Sequence, residues 1–139
     1  MWSKTYSKTV KGLSAERIWH VWTDINQWHT WQDDIEYAKL EGELKTGAFF
    51  QFKPKGGPKF KIELTDVKPN VIFTDVTRFP LAKMYDAHEI IVHGDELELK
   101  CTISITGPLA FFWRKFVAEG VANGAPEQIE KLIERARRG

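Results

Sequence analysis

Cysteine is nearly absent from the sequence: Cys101 is the only one among 139 residues. An intramolecular disulfide is therefore excluded, and a lone thiol is typical of a reducing compartment, so we expect a cytoplasmic protein. The four histidines show neither HxxxH nor HExxH spacing, and one cysteine is too few for a thiolate site. The sequence thus predicts no metal site.

An excess of charge of one sign is also lacking. The chain has 20 Lys and Arg residues and 19 Asp and Glu residues, for a net charge of +1. Domains that bind nucleic acid usually carry a basic patch and a high pI, so we expect no nucleic-acid partner. No apolar run approaches the roughly 20 residues that span a bilayer, and residues 1–10 lack the apolar core of a signal peptide. We therefore expect no membrane insertion.

The common motifs of nucleotide binding and acyl transfer are missing. The sequence has no G-x-G-x-x-G, no G-x-x-x-x-G-K-[ST] and no G-x-S-x-G. The stretch PKGGPK, residues 54–59, is a turn by composition. We expect no cofactor and no serine nucleophile, and Cys101 falls among apolar positions where a thiol is usually inert.

Aromatic residues, in contrast, are abundant. They make up 13% of the chain and include six tryptophans. So many large rings must line either a dense core or a pocket. We expect Trp19, Trp22, Trp28 and Trp31 to pack in the core, whereas a core position and the edge of a pocket are equally expected for Trp113.

Hydrophobic periodicity divides the chain into strands and helices. Residues 2–11 alternate as a strand, and Ser14 is a good N-cap for a helix whose apolar residues recur at i, i+3, i+4 and i+7. Residues 24–34 continue as a second short helix or an irregular turn. From residue 34 to 106 the period is two, which is typical of antiparallel strands with one wet face. This order of elements predicts a single α+β domain over residues 1–139.

Residues 107–138 predict one long C-terminal helix whose apolar stripe is small at its centre. The stripe consists of Leu109, Trp113, Phe116 and Val117, then Gly120, Gly124 and Ala125, and finally Ile129, Leu132, Ile133 and Ala136. A glycine inside a helix costs roughly 1 kcal/mol relative to alanine. Two explanations remain open: the small residues leave space for a ligand, or they let the helix backbone approach the sheet closely.

Three local motifs follow one another along the chain. They are SAERIWHVWTDINQWHTW (residues 14–31), EGELKTGAFFQFKPKGG (residues 41–57) and ITGPLAFFWRKF (residues 105–116). Together they resemble the SRPBCC superfamily of START-like domains, and within it the polyketide cyclase/dehydrase and lipid transport family. The resemblance implies a helix-grip fold: a curved antiparallel sheet of about seven strands wrapped around the long C-terminal helix, with two short helices after the first strand and a cavity between sheet and helix.

The function that we favour is a carrier or sensor that binds a hydrophobic small molecule, whether a lipid, a polyketide-like compound or an aromatic one, in the cavity that the resemblance implies. The superfamily also contains enzymes and chaperone co-activators, because a fold does not determine a function. The ligand would be the partner of a monomer or homodimer. The expected ligand-binding residues are Phe50, Phe52, Ile62, Met84, His88, Ile90, Trp113, Phe116, Val117 and Gly120.

Two polar residues share a face of the predicted strand KMYDAHEIIVH, residues 83–93. Asp86 and His88 have the parity of Met84 and Ile90, so they lie roughly 6.6 Å apart along an otherwise apolar wall if that face points inward. A carboxylate there can orient the imidazole for proton transfer. This pattern supports the alternative function, a cyclase/dehydratase-type enzyme with Asp86 and His88 as catalytic residues. A purely structural role, in which the two groups satisfy each other or the backbone, remains open.

The neighbouring strand and the outer face of the sheet give two further expectations. Asp75 and Arg78 have opposite parity, so at most one of them should point inward. A second alternative function is a protein-interaction module similar to the chaperone co-activators, which would use the outer face. That face is predicted to be charged, and no apolar docking patch is visible on it in the sequence.

Overall fold

Seven β-strands form one antiparallel sheet in the computed structural model, which describes residues 1–138. The spatial order is β1-β7-β6-β5-β4-β3-β2, so β1 and β2 are the edge strands. Except for β1 and β7, strands that are neighbours in the sheet are also consecutive in the sequence. The strands are β1 Trp2–Lys11, β2 Ile35–Glu41, β3 Phe49–Pro54, β4 Phe60–Lys68, β5 Ile72–Phe79, β6 Ala82–His93 and β7 Glu96–Thr106.

Two short helices separate β1 from β2, as predicted. Helix α1 spans Ala15–Thr23 and begins at Ser14, whose hydroxyl accepts a hydrogen bond from the Arg17 backbone N–H at 3.0 Å. A 3-10 helix, Ile25–Thr30, follows directly. The apolar face of α1 is buried against the sheet side of the molecule, with Ile18 and Trp22 almost completely inaccessible.

The C-terminal helix is not a uniform α-helix. It consists of α2 (Ala110–Trp113), a π-helical turn (Arg114–Ala118), α3 (Glu119–Asn123) and, after Gly124, α4 (Ala125–Arg137). A π-helical turn contains one residue more than an α-helical turn. The face that contacts the sheet therefore passes from Trp113 to Ala118, five positions later, and continues through the buried residues Ala122, Ala125 and Ile129.

This change of register corrects one sequence-based expectation. Phe116 was expected on the buried stripe of the helix, but it is 72% exposed. The extra residue of the π-helical turn rotates Phe116 away from the sheet. Phe112 and Phe116 instead contact each other at the outer end of the helix, with ring centroids 4.7 Å apart.

The turn from β7 into the C-terminal helix depends on Gly107. Its φ of +114° lies in a region that side-chain-bearing residues rarely adopt, and a Cβ there would lie 2.5 Å from Leu81 O. The Leu109 N–H donates to the same Leu81 oxygen at 3.0 Å. These contacts place the start of the helix over the end of the β5–β6 hairpin.

The inner face of the curved sheet is apolar and faces the helices, which confirms the predicted α+β helix-grip fold. In β7, all five residues predicted to point inward are buried: Leu97, Leu99, Cys101, Ile103 and Ile105. None of the helices formed by residues 1–138 combines the length and the apolar character needed to cross a membrane.

Candidate functional site

A pocket of about 510 Å³ lies between the inner face of the sheet and the C-terminal helix. Alternate residues of β3 to β6 form its sheet wall, because side chains on one face of a strand recur at every second residue. Its apolar lining consists of Trp28, Ile35, Phe50, Phe52, Pro54, Phe60, Ile62, Phe79, Met84, Phe116, Val117 and Val121. Its charged and hydrogen-bonding side chains are Gln32, Asp33, Asp34, Asp75, Thr77, Asp86, His88, Glu127, Gln128 and Lys131.

Aromatic pairs hold much of the apolar wall. Trp28 meets Phe50 edge to face with centroids 5.5 Å apart, and Phe60 meets Phe79 in the same way at 6.0 Å. The Trp28 indole N–H also donates to Trp22 O at 2.9 Å. Trp28 is therefore a core residue, as expected, and also one side of the pocket.

On the helix side, Gly120 and Gly124 line the pocket, but both are exposed and not on the buried face of the helix where the sequence predicted them. A Cβ built on Gly120 would meet no heavy atom within 4 Å, whereas one on Gly124 would be 3.5 Å from Val121 O, an ordinary contact. Close approach of the helix backbone to the sheet would instead put sheet atoms against these positions. The geometry therefore argues against close approach of the helix backbone to the sheet at these two glycines, and Gly120 leaves space on a side of the pocket that is accessible to solvent.

Three polar side chains meet on the sheet wall: Asp75, Asp86 and His88. Asp75 and Asp86 lie opposite each other on β5 and β6, and their oxygens lie within 4.8 Å of each other and of a His88 ring nitrogen. Asp75 is 6% exposed and His88 3%. The sequence predicts that Asp86 and His88 share one face of a strand, but it does not predict that Asp75 lies next to them.

The hydrogen bonds of His88 define its tautomer. Nδ1 lies 3.1 Å from Phe73 O, and because a carbonyl oxygen only accepts, Nδ1 carries a proton and donates it. Nε2 lies 3.3 Å from Asp86 Oδ1. The alignment of these two atoms is too poor for a hydrogen bond, and Asp86 Oδ1 has no hydrogen-bond partner among residues 1–138. The imidazole is held by the backbone, and its other nitrogen faces the acid.

Burial is the main cause of the raised pKa values of the two acids in this cluster. Loss of solvent raises the pKa of Asp75 well above its ordinary value, and the nearby charge of Asp86 raises it further. Burial also raises the pKa of Asp86, while His88 acts in the opposite direction. The cluster therefore binds protons more readily than exposed carboxylates do.

Rings and a thiol lie against the cluster on the protein side. The Phe73 ring stacks on His88 with centroids 4.1 Å apart, and Trp22 meets His88 edge to face at 5.2 Å. Burial raises the pKa of Cys101 well above its ordinary value, with further contributions from Asp86 and Asp75. A thiol in this state is a poor nucleophile.

Eight of the ten expected ligand-binding residues line the pocket, and two do not. Ile90 lies further along β6 than His88, inside the core cluster that also contains Val10 and Leu97. The Trp113 ring stacks on Phe79 at 4.7 Å, and its N–H donates to Pro80 O, so it packs next to a lining residue without lining the pocket itself. Asp86, expected as a catalytic residue, lines the pocket together with His88.

Asp75 and Arg78, which have opposite parity on β5, point to opposite faces of the sheet. Asp75 points into the pocket, whereas Arg78 is on the outer face and pairs with Glu63 at 2.7 Å. Sequence reasoning missed Asp75 as a site residue. The alternation of Phe73, Asp75, Thr77 and Phe79 was a signal for it, but the other parity of β5 also contains an apolar residue, Val76, that is buried.

Comparisons with known proteins identify the fold. No family model matches the sequence, and no curated protein does. Among solved structures, a START superfamily protein from Mycobacterium smegmatis matches with a TM-score of 0.66 at 18% identity, over 96% of this chain and 97% of that one. The chain has the START-like helix-grip fold.

Two further structures show the same likeness. Protein MLL2253 from Mesorhizobium loti matches with a TM-score of 0.76 at 15% identity, over 99% of this chain and 98% of that one. The di-domain ARO/CYC StfQ from the steffimycin biosynthetic pathway matches with a TM-score of 0.76 at 9% identity, over 98% of this chain and 51% of that one. At these identities the likeness concerns the fold alone, and that fold is the one that the resemblance to the SRPBCC superfamily implied.

Proposed function

We propose that this protein binds an apolar small molecule, such as a lipid, a polyketide-like compound or an aromatic one, and acts as its carrier or sensor. The observation that carries this proposal is the pocket of about 510 Å³ with an aromatic lining and a few polar groups on one wall. Ligand pockets typically measure about 300–1,000 Å³ and have this composition. The lone buried thiol supports a reducing, cytoplasmic location for the activity.

The helix side of the pocket supports the same proposal. Protein interiors contain few voids larger than a water molecule. Here a pocket of about 510 Å³ lies beside the helix, and the exposed Gly120 lines it although glycine costs a helix roughly 1 kcal/mol relative to alanine. A ligand that occupies the pocket would offset both costs.

The direct test is calorimetric titration with 4-phenylbutan-1-ol, an apolar probe with a small polar end. We expect saturable binding with a negative heat-capacity change, because apolar surface becomes buried. The matched control is butane-1,4-diol, which lacks the aromatic body and should not bind. Absence of saturable binding by the phenyl compound would contradict the proposal.

A second candidate function is favoured by one observation, the 3.3 Å approach of Asp86 Oδ1 to His88 Nε2 on the pocket wall. In a cyclase/dehydratase-type enzyme, this pair would remove a proton from a carbon next to a carbonyl group. His88 would be the base, with Asp86 stabilising the imidazolium and the Phe73 carbonyl holding the ring in place.

Deuterium exchange into 4-phenylbutan-2-one tests this second function, because exchange next to the ketone reports proton removal alone. We expect the wild-type protein to accelerate the exchange seen by NMR. His88→Ala should abolish the acceleration while affinity for the ketone changes little. Acceleration that persists in His88→Ala would show that His88 is not the base.

A further inference from the structure

The charged side chains that line the pocket are almost all acidic. Five of them are carboxylic acids, namely Asp33, Asp34, Asp75, Asp86 and Glu127. Lys131, the one lysine in the lining, already pairs with Asp33 at 2.5 Å and with Glu127 at 3.3 Å. Within residues 1–138, no arginine and no other lysine lines the pocket. His88 also lines the pocket, but its Nε2 faces Asp86, so among residues 1–138 a bound anion would find no cationic group that does not already face an acid.

Asp75 and Asp86 are the two acids of this set that are not on the exposed rim. They are direct cross-strand partners, and directly opposed Cβ atoms lie about 5 Å apart. No hydrogen bond from residues 1–138 reaches the Asp75 carboxyl group, which is more than nine-tenths buried and lines the pocket. Asp86 Oδ1 also lacks a hydrogen-bond partner within these residues. Asp86 Oδ1 is enclosed next to His88 Nε2, so the Asp75 carboxyl group is the one that faces the pocket without a donor, and Asp86 lines the pocket beside it.

We propose that the pocket selects apolar ligands that carry a basic amine, with the ammonium group between Asp75 and Asp86, over ligands that end in a carboxylate or a phosphate. This inference rests on the proposed ligand-binding function and adds the chemical class of the ligand. A primary ammonium has three N–H donors and no acceptor, so it donates to both carboxylates at once. Hydrogen bonds between ionised partners are roughly twice as strong as neutral ones.

Burial of the two acids increases the expected difference in affinity between amine and carboxylate ligands. An ionised carboxylate is costly away from water, which is why the pKa values of both acids are raised. An ammonium between them compensates that charge and restores the ionised forms. A ligand carboxylate adds a third acid at the same place, and an alcohol forms only neutral hydrogen bonds. The expected order of affinity is amine, then alcohol, then carboxylate.

Three probes that differ only in the end group test this order: 4-phenylbutylamine, 4-phenylbutan-1-ol and 4-phenylbutanoate. Calorimetric titration of the intact protein at pH 7, with a chelator present to exclude metal ions, should show the amine binding at least about tenfold more tightly than the carboxylate. In Asp75→Asn, the amine should lose about tenfold in affinity while the alcohol keeps its own. Asp86→Asn is the second variant, and thermal unfolding confirms that each is folded.

Asp95→Asn is the matched control, because Asp95 is an exposed acid in the turn between β6 and β7. It should leave all three affinities unchanged. Carboxylate binding as tight as amine binding would overturn the inference, as would an unchanged ratio of amine to alcohol affinity in both pocket variants. Failure of all three probes to bind would instead contradict the proposed function itself, so the two failures are distinguishable.

Discussion

At the scale of single residues, Asp75 shows how the pocket changes the chemistry of an ordinary side chain. Its carboxyl group lies in a wall of apolar residues, opposite a second acid and without a hydrogen-bond donor. Burial therefore favours its protonated form and raises its pKa. The same environment that suits a cationic ligand should reduce the stability of the empty protein at neutral pH.

The sign of this effect follows from proton binding. The pKa of Asp75 is higher in the folded state than in the unfolded state. At a pH between these two pKa values, the folded state therefore holds a proton that the unfolded state has released. Stability is therefore greatest below the unfolded pKa and falls as the pH rises through the folded one. Asp75→Asn removes this dependence. The variant should be more stable than the wild type at pH 8, by on the order of 1 kcal/mol or about 4 °C in Tm, and this advantage should shrink toward pH 4.

Thermal unfolding of both proteins from pH 4 to pH 8 measures this difference. Asp95→Asn, which changes an exposed carboxylate, should follow the wild-type curve. If Asp75→Asn and the wild type gave parallel curves, Asp75 would not carry the raised pKa.

At the scale of elements, the C-terminal helix combines two departures from a regular α-helix. The π-helical turn rotates its first half so that alanines, Ala118 and Ala122, contact the sheet. Gly120 then points to the pocket, where a Cβ would meet nothing within 4 Å. The helix thus packs against the sheet at Ala118 and Ala122 and leaves space at Gly120.

Gly120→Ala should therefore stabilise the protein by about 0.5–1 kcal/mol, since alanine restores helix propensity without a clash. Chemical denaturation measures the change. Gly107→Ala is the informative contrast, because its φ is +114° and its Cβ would lie 2.5 Å from Leu81 O. That variant should lose stability. A loss in Gly120→Ala as well would favour close packing of the helix over an open pocket.

Sequence patterns predicted those elements whose signals are local and unambiguous. The alternation of Leu97, Leu99, Cys101 and Ile103 in β7 and the Ser14 cap of α1 both have the expected structure. The exposure of Phe116 was not predictable in this way. Phe112, Phe116 and Val117 are all apolar, so the sequence does not show that the π-helical turn shifts the buried face by one residue. The cluster of Asp75 with Asp86 and His88 depends on strand register, which is a tertiary property.

At the scale of the whole molecule, the sheet, the short helices and the C-terminal helix form a pocket whose wall is largely aromatic and whose charged lining is mainly acidic. The aromatic residues that stood out in the composition serve both the core and this pocket: Trp22 and Phe73 support His88 from the core, and Trp28 and Phe50 line the pocket. We propose that this pocket holds an apolar ligand.

Titration of Gly120→Phe with 4-phenylbutan-1-ol, beside Gly120→Ala and the wild type, tests that claim most directly. The phenyl side chain should occupy the open space next to Gly120, whereas alanine adds only one methyl group. We predict that Gly120→Phe remains folded and loses at least about tenfold in affinity, since an apolar body displaced from the pocket forfeits its burial. Gly120→Ala should bind within about twofold of the wild type. Undiminished binding by a folded Gly120→Phe variant would contradict the account.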